Sequence, residues 1–95
     1  SPAAGEAGFT RFRINWGYRG GADPRRILAH VCRRGGIDSK MVGAIRMETN
    51  ASTFHVGDAV AASFARRVKV RDRRDPHLVI VPVDGPGRAA PRRPR

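Results

Sequence analysis

The stretch Phe9-Thr-Arg-Phe-Arg-Ile-Asn-Trp16 puts Phe12, Ile14 and Trp16 on one parity and Arg11, Arg13 and Asn15 on the other. A period of two marks a strand with one face buried and the other free. Gly17 ends the run, and Tyr18-Arg-Gly-Gly-Ala-Asp23 reads as a loop. Asp23 is placed to cap a helix whose first turn holds Pro24, a position that needs no backbone N–H. Ile27, Leu28, Val31 and Cys32 then recur at helical spacing, and Gly35-Gly36 can close the helix.

Downstream, Asp38-Ser-Lys opens a turn, Val42 to Met47 reads as a second strand, and Asn50-Ala-Ser is turn chemistry. Thr53 to Val56 is a short third strand with Phe54 and Val56 facing in, which leaves Thr53 and His55 facing out. Asp58 reads as the cap of a second helix with Val60, Ala61, Phe64 and Ala65 on one face. The basic run Arg66-Arg-Val-Lys-Val-Arg-Asp-Arg-Arg74 precedes a last strand over 78–83. The order is βαββαβ. It predicts an α+β sandwich in which a four-stranded antiparallel sheet packs two helices on one face and keeps the other open. Arg13, Asn15, Thr53 and His55 are expected on that open face.

The foldable unit is expected over 9–83, with a Gly/Ala-rich linker over 1–8 and a disordered basic tail over 84–95. At 95 residues the chain is one domain. The absence of an initiator Met suggests a piece of a longer protein.

Nineteen Lys and Arg against eight Asp and Glu give a net charge of +11, which calls for a polyanionic partner. An anionic membrane surface would need a basic amphipathic helix or a lipidation signal; neither is present, so no membrane role is expected. The chain has a single cysteine, Cys32, so an intrachain disulfide is excluded and a reducing compartment is favoured. His30 and Cys32 are two apart and fall on different sides of a helix, which supports neither a metal site nor a Cys/His nucleophile. No catalytic residue and no metal ligand is expected.

From Arg13 to about residue 83 the chain resembles the C-terminal RNA-binding domain of bacterial DEAD-box RNA helicases of the DbpA/CsdA (DeaD) group, a divergent RRM. The matching pieces are Phe12-Arg-Ile-Asn-Trp-Gly17, Asp38-Ser-Lys-Met-Val-Gly-Ala-Ile45 and Phe54-His-Val56. The string Asp-Ser-x-x-Val/Ile-Gly-x-Ile is the most specific of them. The resemblance implies an RRM-like fold and a cytoplasmic parent protein that is an ATP-dependent RNA helicase, with this domain targeting it to structured RNA in ribosome assembly or on messenger RNA. ATP and Mg would belong to a helicase core joined in cis. No Gly-x-x-x-x-Gly-Lys-Ser/Thr loop lies in these residues, so no cofactor is expected within them.

An ordinary RRM stacks bases on aromatics of its first and third strands. Aligning Ala51 to Asp58 with that pattern puts Thr53 and His55 at the two outward aromatic positions, with Arg13 the outward residue of the first strand. Arg13 and His55 are therefore the expected stacking surfaces. Expected phosphate contacts are Arg19 in the first loop, Arg25 and Arg26 at the helix N-terminus, and Arg71, Arg73 and Arg74 before the last strand. The rival reading is an RRM-like docking module for a protein, since fold alone does not fix function.

Overall fold

A computed structural model describes residues 8–83. The proposed tail over 84–95, and all of the proposed linker except Gly8, lie outside the described residues. Gly8 already belongs to the fold, because its carbonyl accepts from Asp58 N at 2.8 Å.

Four strands and two long helices follow one another as β1 (Phe9–Ile14), α1 (Pro24–Gly35), β2 (Val42–Met47), β3 (Ser52–Gly57), α2 (Asp58–Lys69) and β4 (Ile80–Pro82). Short 3-10 turns at Tyr18–Gly20 and Ser39–Met41 lead into α1 and β2 respectively. The sheet order is β2-β3-β1-β4, with every neighbouring pair antiparallel. This is the α+β, RRM-like arrangement that the βαββαβ order predicts.

The core lies between the helices and the inward parity of the sheet. Phe12, Ile14, Phe54 and Val56 of the strands meet Ile27 and Val31 of α1 and Ala61, Phe64 and Val68 of α2. Phe64 is the keystone. Its ring stands edge-on to Phe12 at 4.8 Å and to Phe54 at 5.9 Å between centroids. Gly35 of α1 packs against it so closely that a Cβ there would fall onto the ring.

The end of α1 is as expected at both termini. Asp23 accepts from Arg26 N through its side chain, and Gly36 closes the helix at φ 64°, where a Cβ would be strained. Asp38 likewise accepts from Lys40 N. The second helix departs from expectation: Gly57, not Asp58, is its cap residue, and Asp58 sits inside the first turn. There the Asp58 carboxylate faces the positive end of the helix and accepts from the Thr10 hydroxyl at 2.6 Å.

The strand β2 carries a bulge. Gly43 pairs with His55 and Arg46 with Thr53, so Ala44 and Ile45 together oppose Phe54. Ala44 takes up the extra residue at φ 48°, a left-handed conformation that costs a non-glycine residue about 1 kcal/mol or more. What offsets the cost is parity. Val42 and Ile45 are three apart, a spacing no straight strand can turn to one side; the bulge sends Val42, Ile45 and Met47 all toward the core.

Candidate nucleic-acid interface

The helices cover one face of the sheet, and the other presents a lattice of side chains fixed by strand register. Gly43, His55 and Arg11 form one row across β2, β3 and β1. Arg46, Thr53, Arg13 and Val81 form the next, which extends to β4. Arg13, Thr53 and His55 thus share the open face, as expected. A cavity of about 400 Å³ opens there, lined by Arg11, Ala44, Arg46, Glu48, Thr53 and His55.

Phe9 is an open-face residue that the alternation contains and the expected site omits. It has the parity of Arg11 and Arg13, is exposed, and its ring lies 6.2 Å from that of His55. The open face therefore carries one aromatic ring beside the histidine. Partial burial, and then the nearby Arg11 charge, push the His55 pKa below its ordinary value. The imidazole is neutral at pH 7 and offers a flat, uncharged surface. Gly43 meets nothing within 4 Å of the place where its Cβ would stand, so the floor beside His55 is bare.

The loop after β1 closes the far end of this face. Tyr18 N donates to Glu48 O and Arg19 N to Thr49 O, both at 2.9 Å, which clamps the loop onto the β2–β3 turn. Gly17 makes the clamp possible, since a Cβ there would collide with the Glu48 and Thr49 carbonyls and the Ala51 amide. Tyr18 and Arg19 are exposed at the same edge. Trp16 turns inward, with Nε1 donating to Gly20 O and the ring T-shaped to His30.

Of the expected contacts, Asn15 and Arg26 are engaged in the fold itself. Asn15 is exposed, but its Nδ2 donates to His77 O at 2.9 Å and its Oδ1 accepts from Val79 N at 2.7 Å. The amide holds the approach to β4 and keeps one N–H to spare. At the start of α1, Arg25 and Arg26 are exposed, yet Asp23 already fills the anion position at the helix N-terminus and lies 3.5 Å from Arg26 Nε. Pro24 supplies no N–H there. A phosphate at that point would meet a carboxylate, which corrects the expectation of a ready anion site.

Arg71, Arg73 and Arg74 lie elsewhere. With Arg33, Arg34, Arg67, Val70 and Asp72 they line a cleft of about 410 Å³ on the helical side, which has no residue in common with the open-face cavity. Arg33 and Arg34 are structural. Arg33 reaches Asp72 with both nitrogens, at 2.8 and 3.1 Å, and these hydrogen bonds hold the Asp72 carboxyl well below the usual carboxylate range. Arg34 donates to the carbonyls of Leu78, Val68 and Val70, tying the end of α2 to the entry of β4. Sequence reasoning could not separate these two from their neighbours, because their partners are 34 to 44 residues away.

Among the described residues one cluster has metal-ligand chemistry: His30, Asp72 and Asp75 bring ligand atoms within 4.8 Å of one another. The Arg33 guanidinium sits among them, bonded to Asp72 and 3.3 Å from His30 Nδ1, so the cation position is filled by a side chain. Burial lowers the His30 pKa and raises that of the Cys32 thiol, leaving the first neutral and the second unactivated. No helix among the described residues is long and apolar enough to cross a membrane.

Comparison with curated proteins returns no match to the chain. A family model described as DbpA RNA binding domain matches residues 11–79, from the first outward arginine of β1 to the segment that Asn15 holds. The chain belongs to the DbpA RNA binding domain family, and its function is to bind RNA.

Proposed function

We propose that this domain targets an ATP-dependent DEAD-box RNA helicase, joined in cis, to structured RNA, with unpaired bases on the open sheet face and phosphates on arginines at both surfaces. The observation that carries the reading is the open-face lattice: an exposed aromatic ring and a neutral imidazole set among Arg11, Arg13 and Arg46. Rings stack any base at about 1 to 3 kcal/mol each, and the arginines beside them neutralise the backbone between bases. Thr53 supplies a hydroxyl on the same floor, and Arg19 extends the basic edge. Arg25 and Arg26 contribute at most outlying charge. The helical-side Arg67, Arg71, Arg73 and Arg74 form the second phosphate surface. Ribosomal RNA during ribosome assembly, or messenger RNA, in the cytoplasm is the substrate class that suits such a module, and ATP and Mg act in the helicase core.

The test is a hairpin RNA with an unpaired loop, titrated at two salt concentrations against wild type, His55→Ala and Gly43→Leu. Removing the imidazole should weaken binding by about tenfold, a stacking contact of ordinary strength. Gly43→Leu puts a side chain into open space beside His55, so the melting temperature should hold while RNA affinity drops about as far. Unchanged affinity in both variants would remove the sheet from the site and favour a protein-docking role for it.

A further inference from the structure

Glu48 is out of place on a surface built for a polyanion. It lines the open-face cavity together with Arg11, Arg46, Thr53 and His55. Its backbone is held on both sides, with N donating to Ala51 O and O accepting from Tyr18 N, each at 2.9 Å. Gly17 packs against the same carbonyl. The position of the residue is therefore fixed. Its carboxylate has no hydrogen bond or ion pair among the described residues.

A free carboxylate repels phosphate, and a domain of net charge +11 has little use for one where RNA lies. It becomes useful toward the hydrogen-bond donors of a base. An ionised carboxylate is acceptor-only, with two oxygens side by side. Guanine is the base that presents two adjacent donors, N1–H and the N2 amino group, on its Watson–Crick edge. Adenine sets its amino group beside the N1 acceptor, which the second oxygen would repel. Cytosine likewise pairs its amino group with an acceptor, and uracil flanks one N–H with two carbonyls. Unpaired bases splayed on a protein surface are read at this edge.

We propose that the cavity is a guanine-selective subsite, in which an unpaired guanine lies against His55 and Thr53 and presents N1–H and N2–H to the Glu48 carboxylate. Arg11 and Arg46 hold the flanking phosphates. Glu48 is thus the residue that determines specificity on a face whose other contacts accept any base. The inference rests on the RNA role of the sheet face proposed above.

The experiment uses the full chain and short uridine oligonucleotides with one central guanosine, inosine, adenosine or no replacement, with affinity read by fluorescence anisotropy at low salt. Wild type should prefer the guanosine oligonucleotide over the adenosine and all-uridine ones by about tenfold, the scale of one bidentate base contact. Inosine, which keeps N1–H and lacks the N2 amino group, should fall between. Glu48→Gln should cut the preference to about threefold or less, while affinity for the all-uridine oligonucleotide rises or holds, because a negative charge leaves the face. A structural role for Glu48 would instead weaken every oligonucleotide alike. Equal binding of all four by wild type, or an undiminished preference in Glu48→Gln, overturns the inference. When His55→Ala still weakens all four in such a case, the sheet face keeps its RNA role and only the guanine assignment falls. When neither variant changes any affinity, both readings fall together.

Discussion

Phe64→Ala should destabilise the domain by about 3 to 5 kcal/mol, the range for truncating a buried aromatic ring. Phe64 is fully buried and is the one α2 ring that touches both Phe12 of β1 and Phe54 of β3. Its removal loses the transfer energy of the ring and leaves a void that neither strand can fill without breaking the register of the sheet. Gly35 cannot fill it either, because it has no side chain and its helix is anchored at both ends. A domain of this size holds roughly 5 to 10 kcal/mol in total. About a third or more of that would go, and the thermal midpoint should fall by at least about 12 °C. Near-ultraviolet circular dichroism follows the transition through Trp16, which packs on the same core. Phe64→Leu, which keeps most of the volume, should cost about 1 to 1.5 kcal/mol. A midpoint lowered by only a few degrees in Phe64→Ala would mean that α2 does not rest on β1 and β3 as described.

What could be seen in the sequence was whatever is local. The alternation of Phe12, Ile14 and Trp16, the Asp23-Pro24 start and the Gly36 end of α1, and the Asp38 turn each depend on neighbours in the chain, and the structure has them all. Phe9 was also local, since parity alone places it beside Arg11. The bulge in β2 left a trace in the odd spacing of Val42 and Ile45, but its left-handed residue is Ala44, where turn chemistry would lead one to look for Gly or Asn. Other features had no local signal. That Gly17 faces three backbone atoms of the β2–β3 turn, that Asn15 braces the segment before β4, and that Arg34 serves three carbonyls are facts of tertiary contact. The same holds for the charge. A net +11 says that a polyanion binds, but the chain alone cannot say that Arg33 and Arg34 serve the fold while Arg71, Arg73 and Arg74 face solvent.

That division of the arginines can be measured. Replacing Arg67, Arg71, Arg73 and Arg74 together by Gln should lower affinity for a hairpin RNA by up to about a thousandfold near 0.1 M salt and flatten the dependence of log K on log salt by roughly three units, if each holds one phosphate. All four are exposed and none has a side-chain hydrogen bond or ion pair among the described residues. The four changes together should therefore cost at most about 2 kcal/mol of stability, surface changes of this kind being worth no more than about 0.5 kcal/mol each. Arg33→Gln is the informative contrast. It removes one charge from the same cleft but also the ion pair that keeps the depressed Asp72 carboxylate compensated, and with it the guanidinium that fills the space between Asp72 and His30. It should lower stability and change the salt slope little. The quadruple substitution should weaken hairpins of different loop sequence equally, since phosphates position RNA and bases specify it. An unchanged salt slope in the quadruple variant would confine RNA to the open sheet face and leave the helical-side arginines as a solvated surface.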